Sequence, residues 1–464
     1  MTAPALPVDA TRLRDRLAGR VLVPGERGYD DARTVFNAMI DRHPAVIAQC
    51  VDAADVAASV AFARSNDLEI AVRGGGHSVA GASLTDGGLV IDLRNMHAVD
   101  VDPAARTVRV GGGATWGHVD RACQPHALAT TGGRVSSTGV AGLTRGGGSG
   151  WLERKFGLAC DNLLSVELVT ADGRRVTASE DANPELFWAL HGGGGNFGVA
   201  TEFTFRLHPL PAVTFGLLLF APEAATTVVG RYRDLFEAGA PDDLGGGVLC
   251  ITGFPEEFVP ERLVGGLAVL VVVVYTGPED EAREAIRPLL DLRPAGAMIA
   301  ELPYAEIQCA LDDPPGYRNY WSAEHLPALP NAAVDLFCAR AHDMIVPSPS
   351  QHALLPWGGA VARQANGWPT ANRAARWCVH PFGVWEHARD DERGIAWAKA
   401  ACADMVPFAA GGAYLNFTPD EGRERIIAGY GGADSYRRLA AVKRALDPDN
   451  IFRLNHNVEP AAVP

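Results

Sequence analysis

Three observations predict an α+β fold of two or three lobes. The chain has 464 residues, enough for about three typical domains. From Gly74 to about Pro209, short β-like runs alternate with glycine clusters. Between Pro209 and roughly Gly412 the clusters thin out and β-branched runs alternate with amphipathic helices, as expected of a sheet with helices on one side. That shift in composition marks the expected domain boundary.

Taken in order, Asp9 is placed to cap a short helix in which Leu13 and Leu17 share a face, and Arg20 to Val23 reads as a strand ending at Pro24. Ala45 to Cys50 reads as a second strand. A helix then opens near Asp52 with Val56 and Val60 inward, and Glu69 to Arg73 is the next strand. Leu89 to Leu93, Thr107 to Val110, Ser165 to Thr170 and Ala200 to Leu207 continue the β-like series. Gly266 to Tyr275, the longest apolar run, is about half as long as a membrane-spanning helix, and its valines mark a buried strand. Glu279 to Leu290, opened by Pro278, reads as one amphipathic helix. Near the C-terminus a helix from Ser435 to Leu446 is stopped by Asp447 and Pro448, and a polar stretch, Phe452 to Asn457, follows.

Composition excludes several function classes. Against 41 basic side chains stand 55 acidic ones, and a net charge of -14 repels polyphosphate, so no nucleic-acid partner is expected. Asp9, Arg12, Arg14, Asp15 and Arg16 interrupt the start where a signal peptide needs an apolar stretch. No export is expected, and with no apolar run long enough to span a bilayer, no membrane partner is expected. The eight cysteines show no CxxC pair and no short zinc spacing, so reduced buried thiols in a cytoplasmic protein are expected, with no metal site. Oligomeric state has no signature in the sequence.

Glycine is the compositional outlier, with 51 residues, and it is local. Glu69 to Ser78 is a strand running into Gly74-Gly75-Gly76-His77, where residues without Cβ let successive amides converge on an anion such as phosphate. A P-loop is excluded because Ala82, after Gly81, stands where its lysine belongs. Gly193 to Gly198 fits GxGxxG by letter, but the expected order is helix (Pro184 to Leu190), glycines, strand, the reverse of a dinucleotide fingerprint. A serine-hydrolase elbow fails at Trp151, and no HExxH or acidic calcium loop occurs. Glycine surfaces at 74–76, 111–113, 146–148 and 192–195 remain, suited to one long phosphate-bearing cofactor across two sub-lobes.

Several stretches, in order, resemble one family. They are Arg73-Gly74-Gly75-Gly76-His77-Ser78 with Gly81, Thr138-Gly139 through Gly146-Gly147-Gly148 to Trp151, Arg154 to Asn162, Phe187-Trp188 through Gly198, Tyr414-Leu415-Asn416-Phe417, and Asp447-Pro448 through Asn455-His456-Asn457. The chain resembles the FAD-linked oxidases of the vanillyl-alcohol-oxidase type, in the berberine-bridge-enzyme-like branch, over nearly its whole length.

The resemblance implies a two-lobed PCMH-type FAD-binding domain plus a substrate domain with a mostly antiparallel sheet flanked by helices. Residues 1–209 would form the FAD-binding domain, 210–412 the substrate domain, and 413–464 a segment returning to the FAD domain. FAD would be held by Arg73, Gly74, Gly75, Gly76, His77, Ser78, Gly81, Thr138, Gly139, Gly142, Gly147, Gly148, Val199, Tyr414, Asn416, Asn455 and Asn457, with His77 bonded covalently to the flavin. A second, cysteinyl bond is not expected, because its position falls on Val135, and Cys160 lies in a different motif. Thr138 aligns with a position near flavin N5 where the family tunes dioxygen access; a small residue there favours an oxidase over a dehydrogenase.

Oxidising an alcohol or amine carbon needs a C–H aimed at flavin N5 and a group for the adjacent O–H or N–H proton. Tyr414 and Asn416 are expected on one face of a strand-like segment, Ala413 to Phe417, with Tyr414 as proton acceptor or substrate-orienting hydroxyl and Asn416 in support. Relatives place a glutamate where Ala353 stands, on the strand leading to Gly358-Gly359-Ala360. The usual carboxylate base is thus missing, and His352 replaces it only if register turns it inward. The expected protein is a covalent FAD-dependent oxidase of a small or medium organic molecule in secondary metabolism, using dioxygen; the alternatives are a dehydrogenase with another acceptor, or a flavin-binding protein without turnover.

Overall fold

The computed structural model describes residues 8–364 and 367–462. Residues 1–7, part of the stretch read for a signal peptide, lie outside them. The fold is α+β and contains three main sheets. The first, of four strands, runs Arg20–Leu22, Val46–Gln49, Leu89–Asp92, Ile70–Arg73; only its first pair is antiparallel. Helix Ala53–Ser65 covers it. Asp52 accepts hydrogen bonds from the amides of Ala54 and Asp55, while Val56 and Val60 are fully buried, as the spacing predicts. The second sheet, of five antiparallel strands, runs Val99–Asp102, Thr107–Gly111, Val199–Arg206, Leu163–Val169, Arg175–Ser179.

The third sheet, of eight strands, is antiparallel throughout. Its path is Gly296–Glu301, Thr214–Phe220, Leu267–Tyr275, Leu244–Thr252, Gln351–Pro356, Trp377–Trp385 and Arg318–Trp321, with Glu324–Leu326 paired beside Trp377–Trp385. The two faces build different cores, because side chains alternate along a strand. Val248, Val271, Val273 and Leu354 pack against helices Ala225–Glu237, Asn331–Ala341 and Asp391–Met405. Leu249, Val272, Ala353 and Leu355 face the other way, toward Trp151, Leu158 and Tyr414 of the glycine-rich half and the C-terminal segment.

Two expected elements differ. Glu279 to Leu290 is broken at Ile286 into helices Glu279–Ala285 and Arg287–Leu290. Pro288 has no N–H for the ladder, and its ring would strike the carbonyl of Glu284. Ala413 to Phe417 is a turn and not a strand, with the Phe417 amide donating to the Tyr414 carbonyl at 2.8 Å. Seven of the eight cysteines are buried, and Cys309 is exposed.

The cores enclose neutral histidines. Burial lowers His191 to about 4, and His325 and His352 to about 3. The unfolded chain takes up protons at these rings near the ordinary value of 6.5, and the folded chain does so only near 3 to 4, so stability falls as pH drops from about 6.5 toward 4. Between pH 7 and pH 5 each fully buried ring is expected to cost on the order of 2 kcal/mol. Denaturant midpoints at the two pH values check this; an unchanged midpoint contradicts it.

Candidate active site

The site lies between the glycine-rich half and the inward face of the eight-stranded sheet. Strand Ile70–Arg73 delivers the chain into Gly74-Gly75-Gly76, which faces Gly139 so closely that a Cβ on Gly75 would come within 2.3 Å of the Gly139 amide nitrogen. Only glycine permits this approach. Among the described residues, none of the amides of Gly75, Gly76, His77, Ser78 and Val79 donates to a protein acceptor. Five consecutive free amides make an anion nest.

The cleft around this nest is lined by Gly74, Gly75, Gly76, His77, Ser78, Thr138, Gly139, Gly142, Asn416 and Asn455, all expected from the sequence, together with Gly146, Gly192, Gly194 and Gly195. Arg145 also lines it, and sequence reasoning missed it. Its guanidinium is buried, donates to the carbonyls of Ala141 and Gly198, and has no carboxylate partner among the described residues. A buried cation without a protein counter-charge is costly until an anion arrives.

Other expected cofactor contacts lie elsewhere. Arg73 turns back to donate to the carbonyls of Ala32 and Thr34, because its strand position points it into the core beneath the loop. Gly81 makes a turn against Ile40, Val199 is a fully buried strand residue paired with Val169, and Asn457 is outside the cleft lining. Gly147 and Gly148 have φ of +117° and +97° and wrap the Tyr414 ring and Ala159. The glycines at 111–113 are packing positions: Cβ atoms on Gly112 and Gly113 would strike the carbonyls of Ala200 and Leu93.

Beside the cleft lies a cavity of about 150 Å³ with mostly apolar walls, among them Phe36, Trp151, Trp321, Phe382 and Phe417. His77, Thr138, Leu143 and Asn416 line both spaces. The half-buried His77 ring stacks on Phe36 at 4.1 Å between centroids, and its Nε2 lies 2.9 Å from Ser137 Oγ. Burial lowers its pKa to about 4, so the ring is neutral at pH 7. A much larger, open vestibule of about 1430 Å³ meets the inner cavity at Leu249, Leu311, Asp313 and Gln351. Asp313 accepts from Gln351 Nε2 at 2.8 Å, and burial beside Asp312 raises its carboxyl to about 7.

The two expected proton acceptors are corrected by geometry. His352 points away from the cavity: it stacks on Phe337 at 4.1 Å, and neither ring nitrogen has a partner among the described residues. Strand alternation decides this, since Ala353 takes the cavity face. Tyr414 is buried outside both cavity linings, and its oxygen accepts from the amides of Gly148 and Ser149 at 2.8 and 2.7 Å. Those bonds occupy its lone pairs and make it a buttress for the Gly147–Ser149 turn. Asn416 donates to the Leu143 carbonyl at 2.8 Å and reaches both spaces.

The glycine nest and the apolar, substrate-sized cavity beside it suit a phosphate-bearing cofactor that reaches a small organic molecule. Comparison with known proteins agrees. Residues 44–179 match the FAD binding domain model, and residues 413–459 match the model described as berberine and berberine like. The (R)-6-hydroxynicotine oxidase of Paenarthrobacter nicotinovorans is 32% identical over 96% of this chain and 97% of its own. The crystal structure of 6-hydroxy-D-nicotine oxidase from Arthrobacter nicotinovorans superposes with a TM-score of 0.86 at 30% identity, covering 97% of this chain and 100% of that one. The xylooligosaccharide oxidase of Myceliophthora thermophila, at 24% identity, TM-score 0.84 and coverage of 97% and 99%, shares the fold. The chain belongs to the berberine-bridge-enzyme-like family of FAD-dependent oxidoreductases.

The residues present fit FAD. The free amides of Gly75 to Val79, and Arg145, which has no carboxylate partner among the described residues, supply donors and positive charge for a pyrophosphate, and the glycines leave room for its close approach.

Proposed function

We propose that the protein is an oxidase that holds FAD through one bond to His77, oxidises a small or medium organic molecule, and passes the electrons to dioxygen. One observation carries the reading: His77, Thr138, Leu143 and Asn416 form a common boundary between the cofactor cleft and the inner cavity. A group bound across that boundary is within reach of a molecule in the cavity. The neutral His77 ring keeps a nitrogen lone pair available for attachment. Bound flavin supplies a two-electron acceptor. The chain's own residues hold it, exclude water with aromatic walls, and leave Thr138 as a small side chain at the boundary. The relative named for hydroxynicotine oxidation supports an aromatic or nitrogen-bearing substrate, and the cavity volume suits one such ring. The free cysteines support a cytoplasmic location.

A hydrogen-peroxide assay over aromatic alcohols, cyclic amines, sugars and polyketide intermediates, paired with anaerobic flavin bleaching, tests the reading. Bleaching with stoichiometric peroxide on re-aeration is expected for at least one class. Bleaching with no reoxidation by air identifies a dehydrogenase; no bleaching by any compound identifies a flavin-binding protein without turnover.

A further inference from the structure

The cavity wall lacks a carboxylate at Ala353, yet the neighbouring strand fills the same place. Ala353 and His380 are directly opposed in the antiparallel pair Gln351–Pro356 and Trp377–Trp385, and both line the inner cavity. Opposed residues project to the same face of a sheet. Loss of a side chain at Ala353 therefore opens space beside the His380 ring.

The ring is held in one state. His380 Nδ1 lies 2.8 Å from the Ser322 carbonyl, which only accepts, so Nδ1 carries the proton and Nε2 a lone pair. Phe417 stacks on the ring at 4.2 Å between centroids with planes 13° apart. Nε2 has no partner among the described residues, and it is not sealed in packed side chains, as both nitrogens of His325 and His352 are. Burial, with Arg134 adding to the effect, lowers the ring to about 4 and keeps it neutral. Arg134, Asp313 and His77 line the same cavity.

We infer that His380 Nε2 is the acceptor for the hydroxyl of a ring-bearing alcohol or phenol in this cavity, and the base that takes its proton during oxidation. The inference rests on the oxidase reading above. In alcohol oxidation the carbinol C–H would leave as hydride, carrying two electrons to the flavin, the O–H proton would pass to Nε2, and C–O would become C=O. In a p-alkylphenol the hydride would leave the alkyl carbon para to the hydroxyl, the phenol proton would pass to Nε2, and the ring would become a quinone methide. Dioxygen then receives the two electrons and two protons as hydrogen peroxide. A weak base suffices, because the hydroxyl becomes strongly acidic as hydride departs.

The test uses holoprotein labelled with nitrogen-15 histidine and two probes of matched shape: p-cresol, which donates an O–H, and toluene, which does not. In the native protein the His380 signal is expected as the Nδ1–H tautomer at pH 7, and its Nε2 resonance is expected to move upfield as p-cresol saturates. His380→Leu is expected to weaken p-cresol binding about tenfold while leaving toluene binding unchanged, and His380→Gln, which keeps an acceptor oxygen, to recover part of the loss. The opposite tautomer, an Nε2 resonance indifferent to p-cresol, or equal p-cresol affinity in His380→Leu overturns the inference. These readouts need no turnover, so they fail separately from the oxidase reading, which fails when no compound bleaches the flavin.

Discussion

Replacing His77 with alanine is expected to convert an acid-stable yellow protein into one that releases all of its flavin on acid precipitation. With the proposed bond in place, the native pellet is expected to keep its colour and to fluoresce in a denaturing gel. The variant pellet is colourless, and its tryptic peptide spanning position 77 lacks the flavin mass. The change is all-or-none because the free amides of the nest belong to the backbone and survive the substitution, so FAD still binds and only the bond is lost. The other side chain to watch is sulfur. Val135 lines the cavity without a thiol, and Cys160 is fully buried with its thiol pushed upward by burial, so neither supplies a reactive thiolate. Flavin retained on a cysteine peptide in His77→Ala sinks the single-bond proposal.

The largest stability loss is expected from Lys443→Met. Lys443 and Asp447 are both fully buried, one turn apart at the end of helix Ala433–Leu446. The Lys443 ammonium donates to Asp447 Oδ2 at 2.6 Å and to the carbonyls of Asn196 and Phe452 at 2.8 Å each. Asp447 in turn accepts from the amides of Ile451 and Phe452. Removing the lysine leaves a buried carboxylate uncompensated, a change that costs about 3–5 kcal/mol. It also removes the bond to the backbone carbonyl of Asn196, whose side chain donates to the Gly193 and His456 carbonyls beside the cofactor cleft. Denaturant unfolding of the apoprotein and the flavin dissociation rate of a His77→Ala background read the two consequences. Lys443→Met combined with Asp447→Asn is expected to be more stable than Lys443→Met alone, because the stranded charge is gone. A single variant with a native unfolding midpoint contradicts this account.

Local chemistry made much of the fold legible. Asp52 capping, the valines of Leu267–Tyr275 and the Asp447-Pro448 stop each act within a few residues, so the sequence displays them directly. The glycine nest was legible for the same reason: three adjacent residues without Cβ have few other uses. The reversed order around Gly193 to Gly198, helix Pro184–Leu190 before and strand Val199–Arg206 after, was equally local. The split at Pro288 was present in the sequence and outweighed the helical pattern around it.

The candidate site divided differently. The loop positions expected around the cofactor share one cleft, whereas the side-chain roles expected of Arg73, Tyr414 and His352 do not match the folded geometry. Each depends on a partner distant in sequence: the carbonyls of Ala32 and Thr34, the amides of Gly148 and Ser149, and Phe337. Arg145 carried no sequence signal, because its significance is that no carboxylate among the described residues partners it in the fold.

The sequence by itself determined the α+β class and the glycine-built loop, since these follow from residue type and short-range spacing, and the family resemblance located the missing carboxylate at Ala353. Only the tertiary structure decided which groups face the cavity. Strand register sets that choice: a single step in alternation turns His352 into the helical core, and cross-strand pairing brings His380 beside Ala353.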